Sequence, residues 1–348
     1  MVDVAFAIPG DIKTRTGGYS YDREVLALLP NFGVKARHLP LPGGFPAPSA
    51  EDLEATAQAF ASLPDDTVVI IDGLAFGAMP RELIASIRQR IIALVHHPLG
   101  YETGLPPERA KALVESERQA LALARRVIVT SPQTKRLLTE EFGVPGSSIT
   151  VAPPGATAAP RAEGTGTPLQ LLSIGSVSPR KGFVYLVEAL APLREHAWHL
   201  TIAGSLKRDP EAARALKVAI AEHDLASRIR LTGELSTASI AKLYAAADVF
   251  VLPSLYEGYG MVLAEAMVRG LPIVCTTGGA AAETVPNAAA LKVPPGEAAP
   301  LREALARMIA DPALRQKMSD ASWKARHGVP SWRDTALYVT AVIREVAK

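Results

Sequence analysis

Cysteine is nearly absent: Cys275 is the only one in 348 residues. That excludes an intramolecular disulfide framework and a cysteine-ligated structural zinc site, and points to a reducing compartment. Long apolar runs are equally scarce, and no stretch reaches the roughly 18 residues a transmembrane helix needs. The opening residues 1–9 have no basic region, carry Asp3 among their apolar residues and stop at Pro9. They make a poor signal peptide and read as a first strand, so the expected location is cytoplasmic. Net charge is the third deficit. The 37 Lys and Arg against 35 Asp and Glu leave +2, too little for the electrostatic footprint of a nucleic-acid binder. Residues 1–160 carry 15 basic and 17 acidic groups and the remainder 22 and 18, so neither half is strongly polarised. What is present is a globular composition, 48% hydrophobic and 21% charged, on a chain long enough for two domains.

Short apolar runs rich in Val and Ile alternate with segments of helical period, the pattern of a buried parallel sheet wound with helices. Strands are expected over residues 2–8, 34–39, 68–71, 91–95, 126–129 and 148–151, then over 169–174, 198–203, 229–232, 249–252 and 272–275. Helices are expected over 21–29, 53–63, 81–90 and 107–124, and Phe183, Leu186, Val187 and Leu190 mark one apolar helix face. From 152 to 167 the composition shifts to Pro, Gly, Ala and Thr, which reads as a linker. The expectation is an α/β protein of two Rossmann-like, doubly wound domains, residues 1–155 and 168–330, joined by a linker at 156–167 and facing a central cleft. Ligands in such sheets bind beyond the carboxyl ends of the strands. Residues 331–348 begin with an N-cap candidate, Ser331, and run helical; which domain they pack on, or whether they cross back to the first, is open at this level.

The most informative stretch runs from Pro253 through Ser254, Glu257, Gly258, Tyr259, Gly260 and Met261 to Glu265. A strand enters a glycine-containing turn and then a helix, which places backbone amides where a diphosphate could sit. Glu257 and Glu265 could flank a polyhydroxylated ligand, because carboxylates accept hydrogen bonds from neighbouring hydroxyls. After the linker, a strand ends in Gly175, and Arg180 and Lys181 arrive at the start of the next helix. Cations there oppose the helix dipole unless an anion is bound. In the first half, Gly17 and Gly18 lie between a strand and a helix but do not form a dinucleotide fingerprint. His96 and His97 close a strand, and no acidic or cysteine partner stands at ligand spacing from them, so no metal is expected. Cys275 reads as a buried strand residue and not as a nucleophile.

The string Pro-Ser-x-x-Glu-Gly-x-Gly-x-x-x-x-Glu-Ala, preceded by Gly-x-x-x-Pro-Arg-Lys-Gly and by Leu-Thr-Gly-Glu-Leu at 231–235, resembles the family-four retaining glycosyltransferases of GT-B fold. The resemblance covers nearly the whole chain. It implies that Glu257 contacts hydroxyls of a donor sugar, that Glu265 holds the ribose, and that amides of Gly258, Tyr259, Gly260 and Met261 serve sugar and phosphates. Lys181 would meet the diphosphate, and the segment with Gly233 and Glu234 would lie along the base. Gly17 and Gly18 match the family's first loop, and His96 matches a histidine near the donor sugar. Ser131, Pro154 and Gly155, and the Gly278, Gly279 and Glu283 loop also match family positions. One departure stands out: Ser176 follows Gly175 where many members have arginine, and Arg180 is a candidate to supply that charge.

The implied activity is retaining, metal-independent transfer of a hexose-type sugar from a UDP- or GDP-sugar to a hydroxyl of a glycan, glycolipid or small molecule. The nucleotide sugar is a co-substrate, and no cofactor is implied. Two rivals stay open: a GT-B epimerase or phosphorylase, and a non-catalytic nucleotide-sugar-binding partner of another transferase. Acceptors in the family are often lipid-linked. Arg81, Arg88, Arg90, Arg125, Arg126, Lys135 and Arg136 are candidates for a basic surface giving peripheral membrane contact.

Overall fold

The computed structural model describes residues 2–348, which divide into two compact units. Among the described residues, unit 1 comprises 2–155 and 330–348, and unit 2 comprises 156–329. In unit 1 six strands, β1 (Val2–Pro9), β2 (Val34–Leu41), β3 (Val68–Asp72), β4 (Arg90–Val95), β5 (Arg126–Val129) and β6 (Ile149–Val151), form a parallel sheet in the order β2-β1-β3-β4-β5-β6. In-register neighbours such as Phe6, Ile70 and Ile92 bury one face of it. The strands are apolar on both faces because both are covered. Ala5, Val69, Ala93 and Val127 meet Phe60, Phe76 and Met79 on one side, while Val4, Phe6, Ile70 and Ile92 meet Tyr21, Val25 and Leu29 on the other.

That second face is completed by the helix Trp332–Ala347. Its start is set by a capping box between Ser331 and Asp334, and Val339, Val342, Ile343 and Val346 are buried on unit 1. Trp332 meets the Tyr21 ring edge-on at 5.9 Å, and Arg90 donates to the Val346 carbonyl at 3.0 Å. Gly155 admits this helix: a Cβ there would lie 2.2 Å from the Trp332 nitrogen.

Unit 2 repeats the architecture with β7 (Leu169–Ile174), β8 (Trp198–Ala203), β9 (Ile229–Leu231), β10 (Val249–Leu252), β11 (Ile273–Thr276) and β12 (Ala290–Val293), all parallel, in the order β12-β11-β10-β7-β8-β9. In both sheets the strand order reverses at one point, between β1 and β3 and between β7 and β10. Loops leaving adjacent strands at a reversal go to opposite faces and open a crevice. The loops after β7 and β10 carry the basic turn and the glutamate turn; the Gly17–Gly18 segment follows β1, Asp72 ends β3, and His96 follows β4.

Three local differences from the sequence reading have physical causes. The helix expected over 81–90 ends after six residues, at Arg81–Ser86, because Ile87 is extended and the buried Gln89 amide donates to the Leu63 carbonyl. The edge strand β12 has only four residues, with Leu291 and Lys292 half-exposed, and gives little apolar signal. The linker composition does not make a loose segment: Ala162 donates to the Arg269 carbonyl at 2.8 Å, and Asp248 accepts from the amides of Thr165, Gly166 and Gln170. These bonds lie within unit 2.

The expected basic surface is largely committed to intramolecular partners. Arg88 pairs with Asp65 at 3.2 Å, Arg126 with Glu345 at 3.5 Å, and Lys135 donates to the Ile149 carbonyl at 3.0 Å. Arg90 is held by the last helix turn. Arg81 and Arg125 are exposed. No helix among the described residues is long and apolar enough to cross a membrane.

Candidate active site

In unit 2 three loops at the carboxyl ends of β7, β10 and β11 are joined by backbone hydrogen bonds. Leu255 donates to the Arg180 carbonyl at 2.7 Å, Glu257 to Gly278 at 3.2 Å, and Ala280 to the Glu257 carbonyl at 2.8 Å. Gly182 allows the first contact. Its φ of +63° favours glycine, and a Cβ there would sit 2.2 Å from the Pro253 carbonyl oxygen. Gly278 and Gly279 are equally tight, with a Cβ 2.2 Å from Leu255 O and 2.4 Å from Glu257 O respectively.

This stitching brings Lys181 and Arg180 onto one carboxylate. Lys181 Nζ lies 2.5 Å from Glu257 Oε1; Arg180 lies 3.7 Å from Oε2 and donates to the Tyr256 carbonyl at 2.8 Å. Gly175 makes room for the lysine stem, since a Cβ there would be 3.0 Å from Lys181 Cε. Glu257 is buried, 6% exposed. Burial alone would raise its pKa, but Lys181 and Arg180 outweigh it and hold the carboxyl below its ordinary value. Two cations on one buried anion leave positive charge at this crevice.

Glu265 is set differently. It lies on the helix Met261–Met267, which begins after Gly260 in a left-handed conformation, φ +87°. Tyr244 donates its hydroxyl to Glu265 Oε2 at 3.0 Å, and the Arg269 guanidinium covers the Tyr244 ring at 4.4 Å. Burial raises the Glu265 pKa, opposed by Tyr244 and Arg269. Glu265 is therefore held in place and is not a solvated helix residue. Gly258 and Tyr259 are half-buried in the same turn, and burial pushes the Tyr259 phenol up to about 12. Gly233 accepts from the Gly204 amide at 3.0 Å, and a Cβ on Gly204 would lie 2.0 Å from Gly175 O, so the Gly233 turn abuts the basic one. Glu234 is exposed. Gly204 was missed in the sequence; its signal is a glycine directly after a buried strand. Cys275 is fully buried and its thiol is pushed up to about 12 by burial, which makes it inert.

In unit 1 the helix Gly17–Leu28 is capped by Thr16, whose side chain accepts from the Tyr19 amide. Gly18 lies against the imidazole of His96, 3.4 Å from its Cδ2 to a Cβ built on the glycine. The expectation that His96 has no acidic partner is corrected: Asp22 Oδ1 is 3.0 Å and Asp72 Oδ2 3.3 Å from its Nε2. These are distant in sequence, which is why spacing did not reveal them. Their signals are an acid within a buried helix face and an acid closing an all-apolar strand. Among the described residues the three form the one group of His, Cys, Asp and Glu whose ligand atoms all lie within 4.8 Å of one another. The Asp22 contact has the length of a hydrogen bond, and the Asp72 carboxylate oxygen lies beside it at 3.3 Å. His97 Nε2 lies 3.8 Å from Glu102.

Residues 157–325 match the family described as Glycosyl transferases group 1, and residues 8–155 match a Glycosyl transferase 4-like domain. Among characterised relatives, the MMP alpha-(1->4)-mannosyltransferase of Mycolicibacterium hassiacum is 29% identical over 318 residues, 86% of this chain and 75% of that protein. The D-inositol 3-phosphate glycosyltransferase of Pseudarthrobacter chlorophenolicus is 32% identical over 267 residues, 70% of this chain and 62% of that protein. Among solved structures, sucrose-phosphate synthase of Thermosynechococcus elongatus superposes with a TM-score of 0.83 at 22% identity, covering 99% of both chains. Anabaena HepE, solved with UDP and glucose, gives 0.74 at 16% identity over 99% of this chain and 100% of its own.

Proposed function

Because this chain belongs to the group 1 glycosyltransferases of GT-B fold, we propose that it moves a hexose-type sugar from a nucleoside diphosphate donor to an acceptor hydroxyl, with retention at the anomeric carbon and without a metal. The observation that carries this reading is the convergence of Lys181 and Arg180 on Glu257 at the strand-order reversal of unit 2. The demanding step in such a transfer is charge build-up on the departing diphosphate. Preorganised cations aimed at that charge lower the barrier without reorganisation. Lys181 and Arg180 supply two positive charges against the one negative charge of Glu257, a net +1.

Glu257, kept ionised by those cations, accepts hydrogen bonds from hydroxyls of the donor sugar. Glu265, oriented by Tyr244, accepts from the ribose hydroxyls. In a same-face displacement the bond from the anomeric carbon to the diphosphate breaks as the acceptor oxygen attacks. The leaving phosphate oxygen takes the acceptor proton, so no protein base is required. UDP-sugars and GDP-sugars are the donors to test first. The HepE structures, solved with UDP, UDP and glucose, and UDP-glucose, support placing UDP-sugars ahead. The acceptor class is a hydroxyl of a glycan, a lipid-linked glycan or a small molecule, with peripheral contact to a membrane surface as a further part of the proposal.

The test is transfer from a panel of UDP- and GDP-hexoses, in EDTA, to mannose, inositol phosphate and short glycans, with the product anomer read by proton NMR. An α-linked product from an α-linked donor is expected. Product of inverted configuration, activity only after metal addition, or release of free nucleotide without any acceptor would each contradict the reading.

A further inference from the structure

The turn that carries Glu257 is tied to the segment after β11 by a side chain that the donor-site reading leaves unused. Thr284 closes the four-residue helix Ala281–Thr284. Its hydroxyl lies 2.5 Å from the Tyr259 carbonyl oxygen and 3.0 Å from the Ala280 carbonyl oxygen. A threonine in a helix commonly donates to the carbonyl four residues back. Here that carbonyl, Ala280, is the farther of the two. A hydroxyl has one proton to give, and the shorter contact assigns it to Tyr259.

Thr284 is held by contacts other than its own hydroxyl. At the start of its helix the Ala280 amide donates to the Glu257 carbonyl at 2.8 Å, and Glu257 pairs with Gly279 as an isolated parallel bridge. From the edge strand β12, Lys292 donates to the Ala282 carbonyl and to Asn287 Oδ1, both at 2.6 Å. The consequence reaches one residue past Tyr259. The peptide joining Tyr259 to Gly260 is trans, so its carbonyl and its N–H point in opposite directions. Anchoring the Tyr259 carbonyl on Thr284 therefore fixes the Gly260 N–H on the side away from that helix. The turn has little else to hold this plane, because Gly258 and Gly260 flank Tyr259 and glycine restrains the backbone least. Gly260 is buried, and its amide has no hydrogen-bond partner among the described residues, whereas buried N–H groups are ordinarily paired.

We infer that Thr284 is a positioning residue of the donor site: its hydroxyl sets the Tyr259–Gly260 peptide so that the Gly260 N–H is presented to a diphosphate oxygen of the nucleotide donor. This rests on the transferase reading for the identity of the ligand, and on the geometry of unit 2 for the work of the hydroxyl. Thr284 acts through the peptide and touches no donor atom.

The sequence contains a single Tyr-Gly dipeptide, Tyr259–Gly260. The full chain labelled with 13C-carbonyl tyrosine and 15N-glycine therefore gives one carbonyl-to-amide cross-peak, which reports this peptide alone. In Thr284→Val, which replaces the hydroxyl by a methyl, the Tyr259 carbonyl is expected to move upfield, as a carbonyl does on losing a hydrogen bond. Thr284→Ser is expected to leave it in place. UDP or GDP in EDTA should shift the Gly260 amide of the unsubstituted chain. Calorimetric titration should show nucleotide binding weakened by roughly 10–100-fold in Thr284→Val, the loss of one hydrogen bond to a charged group, and little changed in Thr284→Ser. A Tyr259 carbonyl that Thr284→Val does not move places the proton on Ala280 and overturns the inference. So does a moved carbonyl with nucleotide affinity intact, or a Thr284→Ser as weak as Thr284→Val, which would credit packing and not the hydroxyl. In the unsubstituted chain, a Tyr259 carbonyl at the shift of one that accepts no hydrogen bond overturns it with no variant to fold. Failure of that chain to bind either nucleotide, with the carbonyl still moved by Thr284→Val, would instead remove the donor reading and leave the anchoring of the peptide standing.

Discussion

The two units share a sheet architecture and gather charged side chains at the carboxyl ends of their strands, yet the charges there are reversed. In unit 2 two cations surround one buried carboxylate; in unit 1 two carboxylates surround one imidazole. The unit 2 cluster sums to +1, whereas in unit 1 the acids outnumber the imidazole. That difference is why the proposal seats a diphosphate at the unit 2 crevice and not beside the cluster of unit 1. The backbone, with its strand-order reversal, provides the crevice in both cases, and the side chains decide what each accepts.

The largest expected effect separates the two clusters by their tolerance to charge loss. Lys181→Ala removes a cation that the proposed mechanism sets against the leaving group and is expected to lower kcat by about 10²–10³-fold, the range seen when one preorganised donor is lost. Steady-state kinetics at saturating donor check it, and a KM change with kcat intact would reassign Lys181 to binding alone.

The next prediction concerns what fastens unit 1. Ile343 on the last helix is fully buried against the unit 1 core, and Ile343→Ala is expected to cost about 2–5 kcal/mol, read from urea unfolding. A cost below about 1 kcal/mol would mean that the helix adds little to unit 1.

The pH dependence also divides by unit. His96 has a folded pKa raised to about 10 from 6.5. Its contribution to stability is complete below pH 6.5 and is lost as pH rises toward 10. Asp22, raised by burial to about 7 from 3.8, loses its contribution across that lower window. Glu257 is depressed below 4.5, so its contribution is present above pH 4.5 and is lost as pH falls through its folded value. Thermal unfolding from pH 3 to 10 should show His96→Gln flattening the alkaline decline and Lys181→Met flattening the acid one, because without Lys181 burial lifts the Glu257 pKa back toward its unfolded value. The reverse assignment would break the comparison.

The smallest effect belongs to Tyr244. Tyr244→Phe removes one hydrogen bond to a carboxylate, an interaction worth about 1.5–3 kcal/mol, and is expected to weaken donor binding by roughly 10–100-fold with kcat little changed. Equal losses in kcat and kcat/KM would show that Glu265 acts on the transition state.

How much of this was legible in the sequence follows the same division. The strands of both sheets stand out because each is a short apolar run buried on both faces. Arg180, Lys181, Glu257 and Glu265 are legible because two continuous turns carry them, and a turn's chemistry is local. Asp22 and Asp72 were not, because His96 meets them only through the parallel pairing of β3 with β4 and the packing of a helix on the sheet. Tyr244 was hidden for the same reason: its link to Glu265 passes through packing that no local spacing encodes. The strand β12 escaped because half its short length faces solvent.

The account's central claim is that the unit 2 crevice is built to receive a nucleoside diphosphate. The most direct measurement is calorimetric titration of the full chain with UDP and GDP in EDTA, repeated on Lys181→Ala and Glu265→Ala. Saturable binding of one nucleotide by the unsubstituted chain, weakened at least tenfold in both variants, is the predicted result. No binding of either nucleotide at millimolar concentration, or binding untouched by both substitutions, would contradict it.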